Sequence, residues 1–252
     1  MNILITGVAG FIGSNLLDRL LKDNNFVIGI DNFLLGNHEN ISKNLSNKNF
    51  VFINKSIFDK NIISIIKKNL GKKNIDEIWH LAASSDILKG VKNPDFDHRN
   101  TFQTTLKVCK ISQLLGVKKI IFTSTGAIYG IHKEKLNEEK TVPKPISSYG
   151  TFKLASENIL RTYFNNYFDS VVIFRFSNVV GRNSTHGAIF DFINKIKKST
   201  NSLKVLGNGN QQKPYIHIDE VIDGMLKISK KIKNKIDIVN LGPDDTGVKV
   251  SY

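Results

Sequence analysis

At 252 residues, with 40% hydrophobic and 23% charged residues, the chain has the make-up of a globular protein with one sizeable core, or one domain with a smaller appendage. Its formal net charge of +14 raises nucleic acid as a partner, but the lysines run in pairs along the whole chain (Lys67-Lys68, Lys118-Lys119, Lys230-Lys231) rather than in one patch, so nucleic-acid binding is not expected. No apolar run reaches the length of a membrane span, and Met1 leads into a strand-like Asn2–Ile5 rather than a signal peptide. Cys109, the lone cysteine, excludes an internal disulfide and makes a reducing cytoplasm the expected setting.

The first thirty residues read as strand, glycine turn, helix, strand. Ile3-Leu4-Ile5 runs into Thr6-Gly7-Val8-Ala9-Gly10-Phe11-Ile12-Gly13; Leu16, Leu17, Leu20 and Leu21 follow at helical spacing; then Phe26–Ile30 ends at Asp31. Glycines after a strand let backbone amides approach a pyrophosphate, which sits on the helix N-terminus. Asp31 falls where a carboxylate accepts both ribose hydroxyls of an adenosine and repels a 2′-phosphate, which favours NAD over NADP.

Phe50–Ile53 reads as a third strand, followed by Ser56-Ile57-Phe58-Asp59 and a helix through Ile62, Ile65 and Ile66. A fourth strand, Glu77–Leu81, runs into Ala82-Ala83-Ser84-Ser85, small residues that let a flat cofactor lie close to the backbone. His80 reads as a core histidine, since no second ligand is spaced to join it on a metal. A helix is expected from about Asn100 to Leu115, and a fifth strand, Lys119–Phe122, ends in Thr123-Ser124-Thr125-Gly126-Ala127-Ile128-Tyr129-Gly130. This alternation predicts a doubly wound parallel α/β sheet with its ligands at the strand carboxyl ends.

Residues 131 to 148 are polar, contain Pro143 and Pro145, and read as a surface loop. Tyr149, Phe152, Lys153, Ala155, Ile159, Leu160 and Tyr163 then mark a helix, on which Tyr149 and Lys153 are four apart and share a face. A tyrosine titrates near ~10 and is a poor base at neutral pH, and a fixed cation beside it lowers that value. The pair is a proton-transfer device only in the right company; alone it is equally a packed tyrosine beside a solvated lysine. A sixth strand, Val171–Phe176, precedes a change of pattern. A loop at 182–186, a short helix at Ile189–Ile193, a strand and turn at Leu203–Gly209, a strand at Tyr215–Ile218, a helix at about Glu220–Ser229 and a strand at Asp237–Leu241 are expected. Residues 1–176 are therefore read as a dinucleotide-binding domain and 177–252 as a partial substrate lobe interleaved with the last strand of the sheet.

Taken in order, Thr6-Gly7-x-x-Gly10-Phe11-Ile12-Gly13, Asp31-Asn32, His80-Leu81-Ala82-Ala83, Asn100, Ser124-Thr125-x-x-x-Tyr129-Gly130, Tyr149-x-x-x-Lys153, Arg175-Phe176-Ser177-Asn178-Val179-Val180-Gly181 and Tyr215-Ile216-His217-Ile218-Asp219 resemble the extended short-chain dehydrogenase/reductase family, and within it the sugar-nucleotide epimerases and dehydratases. The resemblance implies a Rossmann-type fold and NAD held at Gly7, Gly10, Phe11, Ile12, Gly13, Asp31, Asn32, Ser56, Ile57, Leu81, Ala82, Ala83, Asn100, Tyr149, Lys153 and Phe176. It implies a catalytic trio of Thr125, Tyr149 and Lys153, a nucleotide-sugar substrate met by Thr125, Asn178 and Lys213, and epimerisation at C4 of the UDP-glucose/UDP-galactose type through a 4-keto intermediate. Lys153 and the cationic nicotinamide are then expected to hold the Tyr149 pKa down. A homodimer built on the helices after Asn100 and Tyr149 is implied too, though packing on the sheet explains their apolar faces equally well.

The chain departs from the family's pattern in four places. Gly126 and Ala127 stand where the 4,6-dehydratases carry an acidic pair, which disfavours dehydration and decarboxylation. Ser56 replaces the usual aspartate near the adenine amine, and Lys213 replaces an arginine, keeping the charge but losing the bidentate fork. The sequence ends at Tyr252, where relatives continue through helices that finish the substrate pocket, so the lobe reads as truncated. A sugar-nucleotide reductase or dehydrogenase of the same fold, or a non-catalytic NAD-binding protein, are the alternatives.

Overall fold

The computed structural model describes residues 1–132, 134–185, 187–198, 210, 212–245 and 247–249; the strand and turn expected at Leu203–Gly209 lie outside them. In chain order come β1 (Asn2–Thr6), α1 (Phe11–Lys22), β2 (Phe26–Asp31), the short α2 (Glu39–Ser42), β3 (Phe50–Asn54), α3 (Ile62–Leu70) and β4 (Glu77–His80). Two short helices, α4 (Ile87–Lys92) and α5 (Pro94–Asp97), lead through a π-helical turn at His98–Gln103 into α6 (Thr104–Leu115). Then follow β5 (Lys119–Thr125), a 3₁₀ turn at Gly126–Tyr129, α7 (Ser148–Asn166), β6 (Ser170–Phe176), β7 (Asn178–Val180) and α8 (Ala188–Lys198). The described chain ends with β8 (Gln212–Lys213), β9 (Tyr215–His217), α9 (Ile218–Lys231), β10 (Ile236–Leu241) and β11 (Val248–Lys249).

Seven strands form one parallel sheet in the order β10-β6-β5-β4-β1-β2-β3. The order reverses between β1 and β4, so the loops after these two strands diverge and leave a crevice at their carboxyl ends. Alternate residues of each strand point to opposite faces, and both faces are covered. Ile3, Ile5, Trp79, Ile121, Val172 and Phe174 pack with Leu16, Leu17 and Leu20 of α1 and Val221, Ile222 and Met225 of α9. Leu4, Ile28, Ile78, Ile120, Phe122 and Ile173 pack on the other side with Ile62 and Ile66 of α3, Val108, Cys109 and Ile111 of α6 and Leu160 of α7. This two-sided burial is why the strands read as continuous apolar runs.

Three details differ from the sequence expectation. Strand β5 continues past Phe122 to Thr125, because Thr123, Ser124 and Thr125 pair with Phe174, Arg175 and Phe176 of β6. The helix expected from Asn100 begins two residues earlier, as the π-helical turn, which holds Thr101 against β4's loop through a bond from the Ser84 amide to the Thr101 hydroxyl at 3.2 Å. Ile218 starts α9 rather than ending a strand, since His217 caps the helix by accepting from the Asp219 amide. Beyond β6, β10 returns to the edge of the large sheet, whereas β7 with β9 and β8 with β11 make two small sheets of their own. Among the described residues no helix is long and apolar enough to cross a membrane.

Candidate active site

The crevice at the β1–β4 divergence opens into a cleft of about 540 Å³. Its floor is made by the turn after β1. Gly7 adopts φ +76°, and a Cβ there would lie 2.7 Å from the Ala82 amide nitrogen. A Cβ on Gly13 would lie 2.1 Å from the Gly7 carbonyl oxygen. Only residues without side chains bring the turn, α1 and the β4 loop this close. Helix α1 starts at Gly10 without a side-chain cap and with no acid in its first turn, which leaves its N-terminus suited to an anion. At the end of β2, the Asp31 carboxylate accepts from the Ala9 amide at 2.9 Å and the Phe33 amide at 2.8 Å. Each oxygen keeps a lone pair for a further donor such as a ribose hydroxyl. Burial pushes the Asp31 carboxyl up, and these backbone bonds pull it down.

All of the residues assigned to the cofactor from sequence line this one cleft: Gly7, Gly10, Phe11, Ile12, Gly13, Asp31, Asn32, Ser56, Ile57, Leu81, Ala82, Ala83, Asn100, Tyr149, Lys153 and Phe176. Ser84 lines it as well, and its hydroxyl is fully buried with no hydrogen-bond partner among the described residues. A glycine floor that any Cβ would fill, an uncapped helix N-terminus, a ribose-directed acid and an orphaned hydroxyl together fit a bound dinucleotide.

The far wall of the cleft is α7. Ser147 caps this helix by accepting from the Gly150 amide at 3.1 Å, which sets Tyr149 in its first turn. Three consecutive residues of β5 hold three residues of α7 spaced four apart. The Thr125 side chain acts on the Tyr149 phenol and lowers its pKa. Lys153 donates to the Thr123 carbonyl at 2.6 Å, its ammonium 4.7 Å above the Phe122 ring. Ser124 donates to Glu157 at 2.5 Å. Burial lowers the Lys153 pKa to about 7, opposed by the Glu157 carboxylate.

Burial raises the Tyr149 pKa, Thr125 lowers it, and Asp97 raises it further, so the protein without cofactor favours the neutral phenol. Lys153 and Tyr149 share a helix face as predicted, but the ammonium is directed to the Thr123 carbonyl. His80 has its ring nitrogens 2.8 Å from the Thr6 hydroxyl and 3.1 Å from that of Thr105; burial, then Lys153, lower its pKa to about 3, so it is a neutral core residue.

The residues assigned to the sugar nucleotide are not gathered in this cleft. Thr125 sits at its edge through Tyr149. Asn178, at the start of β7, donates to the Pro214 carbonyl at 3.0 Å, and Lys213 beside it is exposed on β8, paired with Val248 of β11.

A family model for the NAD dependent epimerase/dehydratase family matches residues 3–242. The chain belongs to this family. NAD is therefore its cofactor, and its seven-stranded sheet is the Rossmann-type sheet of the epimerases. It is 30% identical over 231 residues to a UDP-glucose 4-epimerase from Mycolicibacterium smegmatis, covering 90% of this chain and 72% of the relative. Among solved structures, it is similar to a UDP-glucose 4-epimerase from Thermotoga maritima with UDP-glucose (TM-score 0.87, 30% identity, covering 99% of this chain and 79% of that one). It is similar as well to a UDP-glucuronic acid 4-epimerase from Bacillus cereus in complex with UDP-glucuronic acid and NAD (TM-score 0.88, 28% identity, covering 99% and 80%).

Within the epimerase/dehydratase cleft the structure adds residues that the motifs did not name. Phe58 and Arg99 line it, with the guanidinium 6.0 Å from the ring centroid, and so does Lys55. Behind the lining, Asp97 is fully buried, accepts from Ser148 at 2.7 Å, and has an oxygen without a partner among the described residues. Nothing local marks Arg99 as a site residue, because the π-helical turn brings it to the cleft from outside the glycine motif. Glu157 did carry a mark: it continues the four-residue spacing of Tyr149 and Lys153.

Proposed function

We propose that this chain is a nucleotide-sugar 4-epimerase, acting on a substrate of the UDP-glucose/UDP-galactose type through a 4-keto intermediate. One arrangement carries the reading: Tyr149, beside Thr125, shares with Lys153 the cleft that the glycine turn and Asp31 line. When bound, NAD supplies a hydride acceptor that returns hydride to either face of the same carbon, and a positive charge beside the phenol. As the phenolate, Tyr149 takes the C4 hydroxyl proton at its phenol oxygen and, as the resulting phenol, later returns it. The Thr125 hydroxyl orients that oxygen of the sugar. Lys153 offsets the phenolate charge in a wall where burial alone would keep the phenol neutral.

Dehydration would need a carboxyl next to Thr125, and that place is taken by the 3₁₀ turn opened by Gly126 and Ala127. The named epimerase relatives support a uridine diphosphate sugar. Asn178 and Lys213 are proposed to meet the nucleotide half of the substrate, and residues 177–252 to form the lobe that presents it.

The test is a panel of UDP-, GDP-, CDP- and dTDP-sugars incubated with the purified protein without added cofactor, C4 configuration being followed by NMR. Interconversion of a C4 pair is the expected result. NAD binding without any epimer would sink the proposal in favour of a non-catalytic NAD-binding protein, and net consumption of reduced cofactor would make it a reductase.

A further inference from the structure

Behind Lys153, away from the cleft, lies a buried charged cluster that the mechanism above does not use. Glu157 is 1% exposed and Arg175 4%. The carboxylate accepts from the Arg175 guanidinium in a two-point contact, 3.1 Å from Nε to Oε1 and 2.7 Å from Nη2 to Oε2, and also from Ser124 at 2.5 Å. The remaining face of Arg175 donates to the Tyr129 hydroxyl at 2.6 Å, which donates to Asn240 of β10 at 2.8 Å; the Asn240 amide donates to Glu138 at 2.6 Å. The cluster thus ties α7 to β5, β6, β10 and the loop that leads into Tyr149.

Packing alone does not call for such a group. Replacing a buried ion pair with apolar residues is often neutral or stabilising, so a pair kept in the core is weak evidence for stability. What distinguishes this one is its direction. Tyr149, Lys153 and Glu157 lie at successive four-residue steps on one face of α7, and β5 engages each in turn through Thr125, Thr123 and Ser124. Around Lys153 are the Thr123 carbonyl and Phe122 ring from β5, His80 from β4, and Glu157 one turn along its own helix, whose carboxylate also carries the Arg175 guanidinium of β6. His80 is neutral, and the protein without cofactor favours the neutral phenol of Tyr149. Glu157 is therefore the carboxylate acting on the ammonium in the protein without cofactor.

We propose that Glu157, clamped by Arg175 and Ser124, is a positioning residue: it is the built-in counter-ion that keeps Lys153 a cation on β5, where it acts on Tyr149. This rests on the reading of Lys153 as part of the proton-transfer machinery. Burial lowers the lysine to about 7 with Glu157 opposing it, so removing that carboxylate shifts its titration further down.

The experiment is a pH titration of the Lys153 side chain by NMR on the whole protein labelled at lysine Cε, with Lys153→Met to assign the resonance. In Glu157→Gln, Lys153 is expected to titrate about one unit or more below the unaltered protein, and in Glu157→Asp within about half a unit of it. Should the lone Gln substitution fail to fold because Arg175 is left unpaired, the double variant Glu157→Gln with Arg175→Met removes that charge and is expected to show the same direction. In turnover, the alkaline limb of kcat should move down with the lysine while KM for the sugar nucleotide changes by less than about twofold. A Lys153 titration unchanged in a folded Gln variant would overturn the proposal. Absence of turnover in the unaltered protein would instead overturn the epimerase reading, and the titration would still decide Glu157.

Discussion

At one end of the cleft, Gly7 and Gly13 leave room where any side chain would collide with backbone; at the other, three consecutive β5 residues grip Tyr149, Lys153 and Glu157 of α7. The first end works by what it lacks. Its donors are backbone amides at a helix start, and its one committed side chain, Asp31, is itself fixed by backbone amides. The second end works by buried charge, and each group there is set by its neighbours: burial pushes Tyr149 up and Lys153 down, while Thr125 and Glu157 push back. Substitutions at the two ends should therefore fail differently, the first in cofactor retention and the second in turnover.

The largest effect is expected for Tyr149→Phe. The ring keeps its packing and only the hydroxyl beside Thr125 is lost. A general base at this place is worth about 10²–10⁴-fold, so kcat should fall by about three orders of magnitude while bound NAD stays within about twofold of the unaltered protein. Steady-state kinetics and cofactor content measured on the same preparation check it. Retained turnover would place the base elsewhere and dissolve the contrast between the two ends.

Gly13→Ala probes the opposite end. Its Cβ would sit 2.1 Å from the Gly7 carbonyl oxygen, backbone against backbone, so the turn must shift away from α1. NAD affinity is expected to fall by about 10- to 100-fold, since the amides no longer converge on one anion site. With saturating NAD restored, kcat should recover to a much larger share than in Tyr149→Phe. Calorimetric titration with NAD measures the loss, and unaltered affinity would mean that the glycine floor is not what holds the diphosphate.

The difference between the ends also governs what the sequence makes legible. Glycine at a turn followed by a helical leucine pattern and an acid after the next strand is a local arrangement, and so the cofactor floor and most of the parallel sheet can be read directly. The proton-transfer end is half legible: Tyr149 and Lys153 share a helix turn, but their β5 partners lie about thirty residues away, and the strand runs through Thr125 only because β6 pairs with it. The raised pKa of Tyr149 follows from burial, which no spacing reveals. The π-helical turn that brings Asn100 and Arg99 to the cleft interrupts the 3.6-residue rhythm, so it reads as plain helix. The short strands β7, β8 and β11 hold only two or three residues each, too few for any alternation to register.

The smallest effect concerns Ser56, where the family resemblance leads to the expectation of an aspartate near the adenine amine. The Ser56 hydroxyl accepts from the Phe58 amide at 3.2 Å, a local turn bond, and faces the cleft. In Ser56→Asp one carboxylate oxygen can take over that turn bond and the other can accept from the adenine amine. A net hydrogen bond of about 0.5–1.5 kcal/mol corresponds to about two- to tenfold in affinity, so NAD should bind tighter by that factor. Lys55 next to it favours the new charge, and Asp59, which already pairs with Lys55 at 3.6 Å, opposes it, which argues for the lower half of the range. Because the adenine lies far along the cofactor from α7, kcat should not change. A gain in affinity with constant kcat would show that the two ends act independently; a change in kcat would show that seating the adenine reaches Tyr149, and the contrast between an end that holds and an end that reacts would have to be redrawn as one connected cleft.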